Sequence, residues 1–295
     1  MPNERQVYSR GHGVENGCME TGTSLEATMR VVTRHADGKL LAGRVDRVGI
    51  VLFNQPEKRN ALSLGMWAGL CDALDSFAED PEVRAVLYAG AGGHAFASGA
   101  DISEFASKRD SAEANLEYTR ITARGREKMR GFGKPSIACI QGYCIGGGLN
   151  VALQADLRVA ARDSVFAIPA GRMGLAYGIE PMERLVSLVG PARARLMLYT
   201  ARRFSGEEAL AMGLIEVLAA EDVVSEALHL AASIAENAPL SLQASRFAIE
   251  QVQKTAAERD IGRMAELTRR CMDSGDYREG RAAFAEKRKP VFTGA

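Results

Sequence analysis

Two glycine-containing segments are the parts of this sequence best suited to chemistry. One is Phe96-Ala97-Ser98-Gly99-Ala100-Asp101-Ile102, and the other is Gly142-Tyr143-Cys144-Ile145-Gly146-Gly147-Gly148. Each follows an apolar run, and the second opens a helix. Glycine permits unusual backbone dihedrals and lets a ligand approach peptide N–H groups. A helix N-terminus adds unpaired N–H donors and a partial positive charge. Two such turns converging would form an oxyanion hole, which stabilises negative charge as it develops on a carbonyl oxygen. Taken singly, either segment reads equally well as an ordinary tight turn. The pair is the more specific signal.

Other chemistries lack their patterns. GxxxxGK[ST] is absent, no GxGxxG opens a helix after the first strand, and no GxSxG elbow is present. The five cysteines (Cys18, Cys71, Cys139, Cys144 and Cys271) are scattered, without a CxxC pair. That argues against a disulfide framework or a zinc site, so no metal is expected, and it fits a reducing, cytoplasmic setting. Lys+Arg and Asp+Glu both number 37, so the formal net charge is zero. No global field then draws the chain to nucleic acid or to an anionic membrane. No apolar run reaches the roughly 18–20 residues that span a bilayer. Residues 11–23 are polar and glycine-rich where a signal peptide would be apolar, and residues 1–25 read as a flexible extension.

The elements that must position the turns follow from periodicity. With 46% hydrophobic and 25% charged residues, the chain has the composition of a globular protein with a sizeable core. Residues 27–54 read as strands, closing at Asn54-Gln55-Pro56. Met66, Trp67, Leu70, Leu74 and Phe77 recur at helical spacing and predict a helix over 64–79. A short buried strand at 85–88 precedes the first glycine turn. A polar helix over 112–130, a strand over 135–140, the second turn, a helix over 148–155 and a strand over 157–161 come next. Strands alternating with helices indicate a parallel α/β arrangement. From Pro191 onward the strand signal stops and four or five helices remain, a helical region with the character of a subunit contact.

From about residue 45 to the C-terminus the chain resembles the enoyl-CoA hydratase/isomerase (crotonase) superfamily. The resemblance runs through Phe53-Asn54-Gln55-Pro56-Glu57-Lys58-Arg59-Asn60-Ala61-Leu62 and Ser98-Gly99-Ala100-Asp101. It continues through Ile140-Gln141-Gly142-Tyr143-Cys144-Ile145-Gly146-Gly147-Gly148, Ala155-Asp156-Leu157-Arg158 and the segment from Glu279 to Lys289. It implies the α/β crotonase fold: a spiral of ββα units over residues 26–200, holding the acyl-CoA site, and a helical oligomerisation region over 201–295. It also implies a homotrimer or a dimer of trimers.

By the same resemblance the oxyanion donors are the N–H groups of Ala100 and Gly147, and the oxyanion is the enolate of a CoA thioester. Coenzyme A then enters as part of the substrate, and no covalently bound cofactor is implied. Lys58 and Arg59 are implied near the CoA phosphates, with Ala61, Ser98, Asp101 and Ile102 completing the contacts. Phe284 and Lys287 are implied near the adenine, commonly that of a neighbouring subunit. Taken alone, Lys58 and Arg59 read as solvated charges, Phe284 as core, and Asp101 as an anchor for loop backbone.

The match fails where hydration chemistry needs it most. The family's two catalytic glutamates fall here on Asn150 and Ala170. Asparagine cannot ionise, and alanine can neither ionise nor hydrogen-bond through its side chain. Losing general acid–base help slows a reaction about a hundred- to ten-thousand-fold per role. Beyond Ala170, Tyr177 and Glu180 replace residues that are usually small or cyclic in the family. Either carries relocated proton chemistry, or Tyr177 fills the space Ala170 leaves while Glu180, before Pro181, sits at a helix start against its dipole. His94 reads as exposed and Cys144 as a small buried residue, while Glu104 and Glu117 are weaker candidates near an acyl pocket. Two functional readings stand. One is an enzyme that stabilises a thioester enolate for isomerisation, decarboxylation, thioester hydrolysis or an atypical hydration. The alternative is a non-catalytic acyl-CoA-binding protein of the same fold.

Overall fold

The computed structural model describes residues 25–101 and 112–295, with backbone alone for 112–115. The expected N-terminal extension (save Leu25), Ile102 and Glu104 lie outside the described residues. The chain enters through a short helix α1 (Leu25–Thr28) and a meander of β1 (Arg30–His35), β2 (Leu40–Val45) and β3 (Val48–Phe53). From β3 onward the larger sheet is parallel: β4 (Ala85–Gly90), β6 (Ser136–Ile140), β8 (Leu157–Ala160) and β11 (Val217–Leu218) add in that order.

Alternation along these strands assigns their two faces. Ile50, Leu52, Leu87, Ala89, Ile137 and Cys139 belong to one buried cluster with helix α7 (Val223–Ala235). Their neighbours Val51, Phe53, Val86, Tyr88, Ala138 and Ile140 belong to the other, larger cluster, as a side-chain period of two requires.

A second, smaller sheet runs β10 (Phe204–Ser205), β9 (Val165–Ala167), β7 (Tyr143–Ile145) and β5 (Ala95–Ala97), with β9, β7 and β5 parallel. The chain steps from the larger sheet to the smaller in each repeat: β4 to β5, β6 to β7, β8 to β9. Each pair leads on to a helix, α3 (Ala112–Arg130), α4 (Gly147–Ala152) and α5 (Ile179–Thr200) respectively. This is the spiral of ββα units. Both glycine turns lie along the smaller sheet.

Helix α2 (Leu64–Glu79) buries Met66, Trp67, Leu70, Leu74 and Phe77 on one side, as their spacing predicts. Its N-cap Ser63 accepts from the Met66 amide. Fully burying each such side chain contributes about 1.5–3 kcal/mol. α3 crosses α2 closely, because a Cβ at Gly125 would run into the Trp67 indole. α5 is broken at Gly190, where φ is 76°, just before Pro191.

After residue 200 the chain is mainly helical: α6 (Gly206–Met212), α7, α8 (Pro239–Val252), α9 (Ile261–Asp273) and α10 (Gly275–Glu286). The two-residue strands β10 and β11 also lie here and tie this part into both sheets, where the sequence gives no strand signal. They are too short to alternate. Among the described residues, no helix is long and apolar enough to cross a membrane.

Candidate active site

The first turn is held by the segment that follows β3. Leu62 N–H donates to Gly99 O at 2.8 Å and Asp101 N–H to Leu62 O at 3.0 Å, so the two stretches pair for one step like parallel strands. Ser98 N–H donates to Arg59 O at 3.0 Å. Asn60, fully buried, donates through Nδ2 to Ala91 O and Ala95 O and accepts from Gln55 N–H, fixing the turn that leads into β5. Asp101 is buried, and its carboxylate accepts from Gln55 Nε2 and pairs with Lys58 Nζ at 2.9 Å. Within this turn Gly99 has φ 107°, a conformation that side chains on an L residue resist.

The second turn packs against the first at contact distance. A Cβ at Gly148 would run into Ala97 O, so only glycine allows α4 to begin so near β5. A Cβ at Gly147 would lie 3.5 Å from Ala100 N, and one at Gly99 would lie 3.8 Å from Gly147 N. The Ala100 and Gly147 amides are therefore neighbours. Gly147 is the first residue of α4, where N–H groups have no partner within the helix. Among the described residues neither amide donates to a protein acceptor.

Both line a cavity of about 320 Å³. Leu62, Trp67, Pro169, Met173, Leu175 and Ala176 give it apolar wall, and Tyr118, Thr119, Thr122 and Arg126 of α3 give it a polar stripe. Asn150, Ala170 and Tyr177 line it as well. Asn150 is 9% exposed; its backbone is held in α4, and its Oδ1 has no partner among the described residues. Ala170 is buried in the 3-10 turn Pro169–Arg172, and its carbonyl accepts from the Met173 and Leu175 amides. Tyr177 Oη sits 3.8 Å from where a Gly146 Cβ would be, with Pro169 Cδ 3.9 Å from the same point. Burial pushes the Tyr177 hydroxyl above its ordinary pKa, against a hydrogen bond with Asn150 and the charge of Arg126, which lower it.

Glu180 takes the second position of α5, in its first turn. Its carboxylate meets Arg126 at 2.9 Å and Arg130 at 2.6 Å, and it does not line the cavity. Lys58 is occupied by Asp101, while the Arg59 guanidinium lies 5.0 Å from the Tyr143 ring centroid, with Arg203 at 5.7 Å. Ala61 is buried beside them and Ser98 lines the cavity. Phe284, 88% exposed, and Lys287 lie together at the C-terminal end of α10, outside the cavity of this chain. His94 is exposed, Cys144 is buried with its thiol pushed up by desolvation, and Glu117 is exposed and paired with Arg120. Sequence reasoning missed Arg126 and the α3 hydroxyls. Their four-residue spacing at 118, 122 and 126 is the signal that was present, hidden in a helix that reads as polar throughout.

Comparison with known proteins places this geometry. Residues 44–295 match the Enoyl-CoA hydratase/isomerase family. The 2,3-dehydroadipyl-CoA hydratase of Escherichia coli is 32% identical over 257 residues, covering 87% of this chain and 99% of that protein. The crotonyl-CoA hydratase of Syntrophomonas wolfei is 30% identical over 254 residues, covering 86% and 97%. Among solved structures, an enoyl-CoA hydratase/carnithine racemase from Magnetospirillum magneticum superposes with a TM-score of 0.83 at 32% identity, covering 88% of this chain and 97% of that one. With a fold, a pair of glycine turns and a sequence all of one kind, the chain belongs to the enoyl-CoA hydratase/isomerase family of the crotonase superfamily.

Proposed function

We propose that the protein is an enzyme acting on an acyl-CoA thioester, whose carbonyl oxygen is received by the Ala100 and Gly147 amides as the thioester becomes an enolate. The observation that carries this reading is the pair of adjacent N–H groups, without an acceptor among the described residues, that line one cavity. Each such donor contributes about 3–4 kcal/mol to the transition state.

The proton chemistry differs from that of a two-glutamate hydratase. Among the described residues that line the cavity there is no carboxylate, imidazole or thiol. The ionisable side chains are Arg126, Tyr118 and Tyr177. Tyr177 is the one that touches Asn150 and lies near Pro169, beside Ala170. A buried tyrosine with a raised pKa keeps its proton at neutral pH and does not act as a base there. It is a weaker acid than a free tyrosine, yet far more acidic than the α-carbon of a thioester, so it can protonate an enolate. In this reading the enolate forms when a bond to the α-carbon breaks and leaves its electron pair on the thioester, as in decarboxylation. Tyr177 then delivers a proton to the α-carbon and regains one from solvent, and Asn150 orients its hydroxyl. Lys58, Arg59, Ala61, Ser98, Asp101 and Ile102 bind or support the CoA moiety. Phe284 and Lys287 serve the site of an adjacent subunit in a trimer or a dimer of trimers. The setting proposed is the cytoplasm.

That no carboxylate stands among the described lining residues also favours a second reading, a non-catalytic acyl-CoA-binding protein. One experiment separates them: crotonyl-CoA hydration by the wild type, Ala170→Glu and Asn150→Glu/Ala170→Glu, with thioester affinity measured on the same samples. The enzyme reading expects tight binding, slow hydration by the wild type, a gain in the double variant, and turnover of some other acyl-CoA. Binding without turnover of any acyl-CoA leaves the second reading. No binding at all sinks both.

A further inference from the structure

A second cavity, of about 240 Å³, lies between α2 and α3. Leu64, Ala68 and Cys71 line it from α2, and Ile121 and Arg124 from α3. Among the described residues, Trp67 alone lines both this cavity and the one that holds the two glycine turns.

Helix geometry accounts for the division. With 3.6 residues per turn, Thr122 and Arg126 share one side of α3 and line the first cavity. Ile121 and Arg124 share another side and line the second. Gly125 falls between the two sides, and the Trp67 indole rests on it. A Cβ at Gly125 would run into indole Cε3 and Cζ3, so any other residue there would push the ring off α3. Trp67 is 4% exposed, and its backbone N–H donates to Ser63 O at 3.2 Å, which anchors it in the first turn of α2. The indole and the glycine beneath it are thus the wall between the two cavities.

The wall stands close to the proposed reacting end. Leu62, five residues before Trp67, lines the first cavity and donates its N–H to Gly99 O in the first glycine turn. We propose that Trp67 sets the length of acyl chain the protein accepts: its indole closes the acyl cavity and keeps substrate out of the space beyond. The inference rests on the acyl-CoA reading and adds to it the residue that selects among thioesters. A chain that ends at the indole is buried along its whole length. Further carbons must turn back toward solvent and add no apolar burial.

The test is calorimetric titration of the full chain with butyryl-, hexanoyl-, octanoyl- and decanoyl-CoA. In the wild type, affinity should rise by up to about fourfold per methylene, the transfer free energy of one buried CH2, and level off or fall before decanoyl-CoA. Trp67→Leu should remove the levelling and raise the decanoyl-to-butyryl affinity ratio about tenfold or more. Adding Cys71→Phe to that variant should cancel the gain, because the new ring occupies the second cavity. Cys71→Phe alone should leave the wild-type series unchanged. Trp67 is the chain's one tryptophan, so its emission gives a second readout on the unaltered protein. That emission should shift further with each longer thioester until affinity levels, and no further beyond. Wild-type affinity that keeps rising to decanoyl-CoA, or emission indifferent to chain length, overturns the inference and leaves the acyl-CoA reading standing. A wild-type ratio in Trp67→Leu does the same. Failure of every thioester to bind the wild type overturns both.

Discussion

At the scale of single residues, the proposal turns on Asn150 and Ala170 at the expected glutamate positions and on Tyr177, which lines the same cavity. If Tyr177 is the acid, Tyr177→Phe should lower turnover of the productive substrate by about a hundredfold or more while leaving thioester affinity nearly unchanged, the mark of an acid–base role. The pH profile should carry the sign of a raised pKa. The hydroxyl stays protonated through neutral pH and is lost only above the ordinary tyrosine value of about 10, so the rate should hold through neutrality and fall on the alkaline side. Tyr88 offers a contrast. It is fully buried, its hydroxyl has no partner among the described residues, and desolvation pushes its pKa far up. Tyr88→Phe removes a buried unpaired polar atom without changing ring shape, and should stabilise the fold by about 1 kcal/mol in urea denaturation. The same raised pKa means that wild-type stability, present below the ordinary tyrosine value, declines above it.

At the scale of elements, the first of the two turns proposed to form the oxyanion hole depends on anchoring residues outside it. Asn60 makes three hydrogen bonds from a buried position, at a left-handed φ of 54°. Asn60→Ala leaves the Ala91 and Ala95 carbonyls short of a donor and strains the backbone, and should cost about 2–4 kcal/mol. A fall in the urea midpoint should report it, with a loss of activity that is larger than the loss of thioester affinity. The same scale sets what the sequence makes legible. α2 and α3 have 16 and 19 residues, long enough for a helical period to register, and the expected helices over 64–79 and 112–130 agree with them. The strands of the smaller sheet, with three residues in each of β5, β7 and β9, cannot display a period of two beside their glycines. For that reason the segment over 142–148 reads as a turn, although it contains a strand. The glycine turns themselves were visible because close backbone approach demands glycine. Arg126 was not, because one cation among the five of a polar helix looks the same whether it faces water or a cavity.

At the scale of the whole molecule, several large apolar side chains stand exposed. Ile179 and Tyr199 on α5 and Phe284 on α10 are each mostly exposed, an uncommon state for side chains of this size. The proposed trimer or dimer of trimers would cover part of this area. Sedimentation equilibrium should then return three or six times the 31.7 kDa chain mass, and a value of one chain mass at micromolar concentration would remove the assembly from the picture.

The one-step pairing between residues 61–62 and 99–101, reinforced by the Lys58–Asp101 ion pair, makes the proposed nucleotide-binding segment and the first oxyanion turn a single mechanical unit. Grip on the handle of the substrate is thereby grip on its reacting carbonyl. Thioesters cut back to pantetheine or N-acetylcysteamine would reach the cavity but leave that unit unloaded. Their penalty should fall on kcat as well as KM, because energy from the remote end is then missing from the transition state.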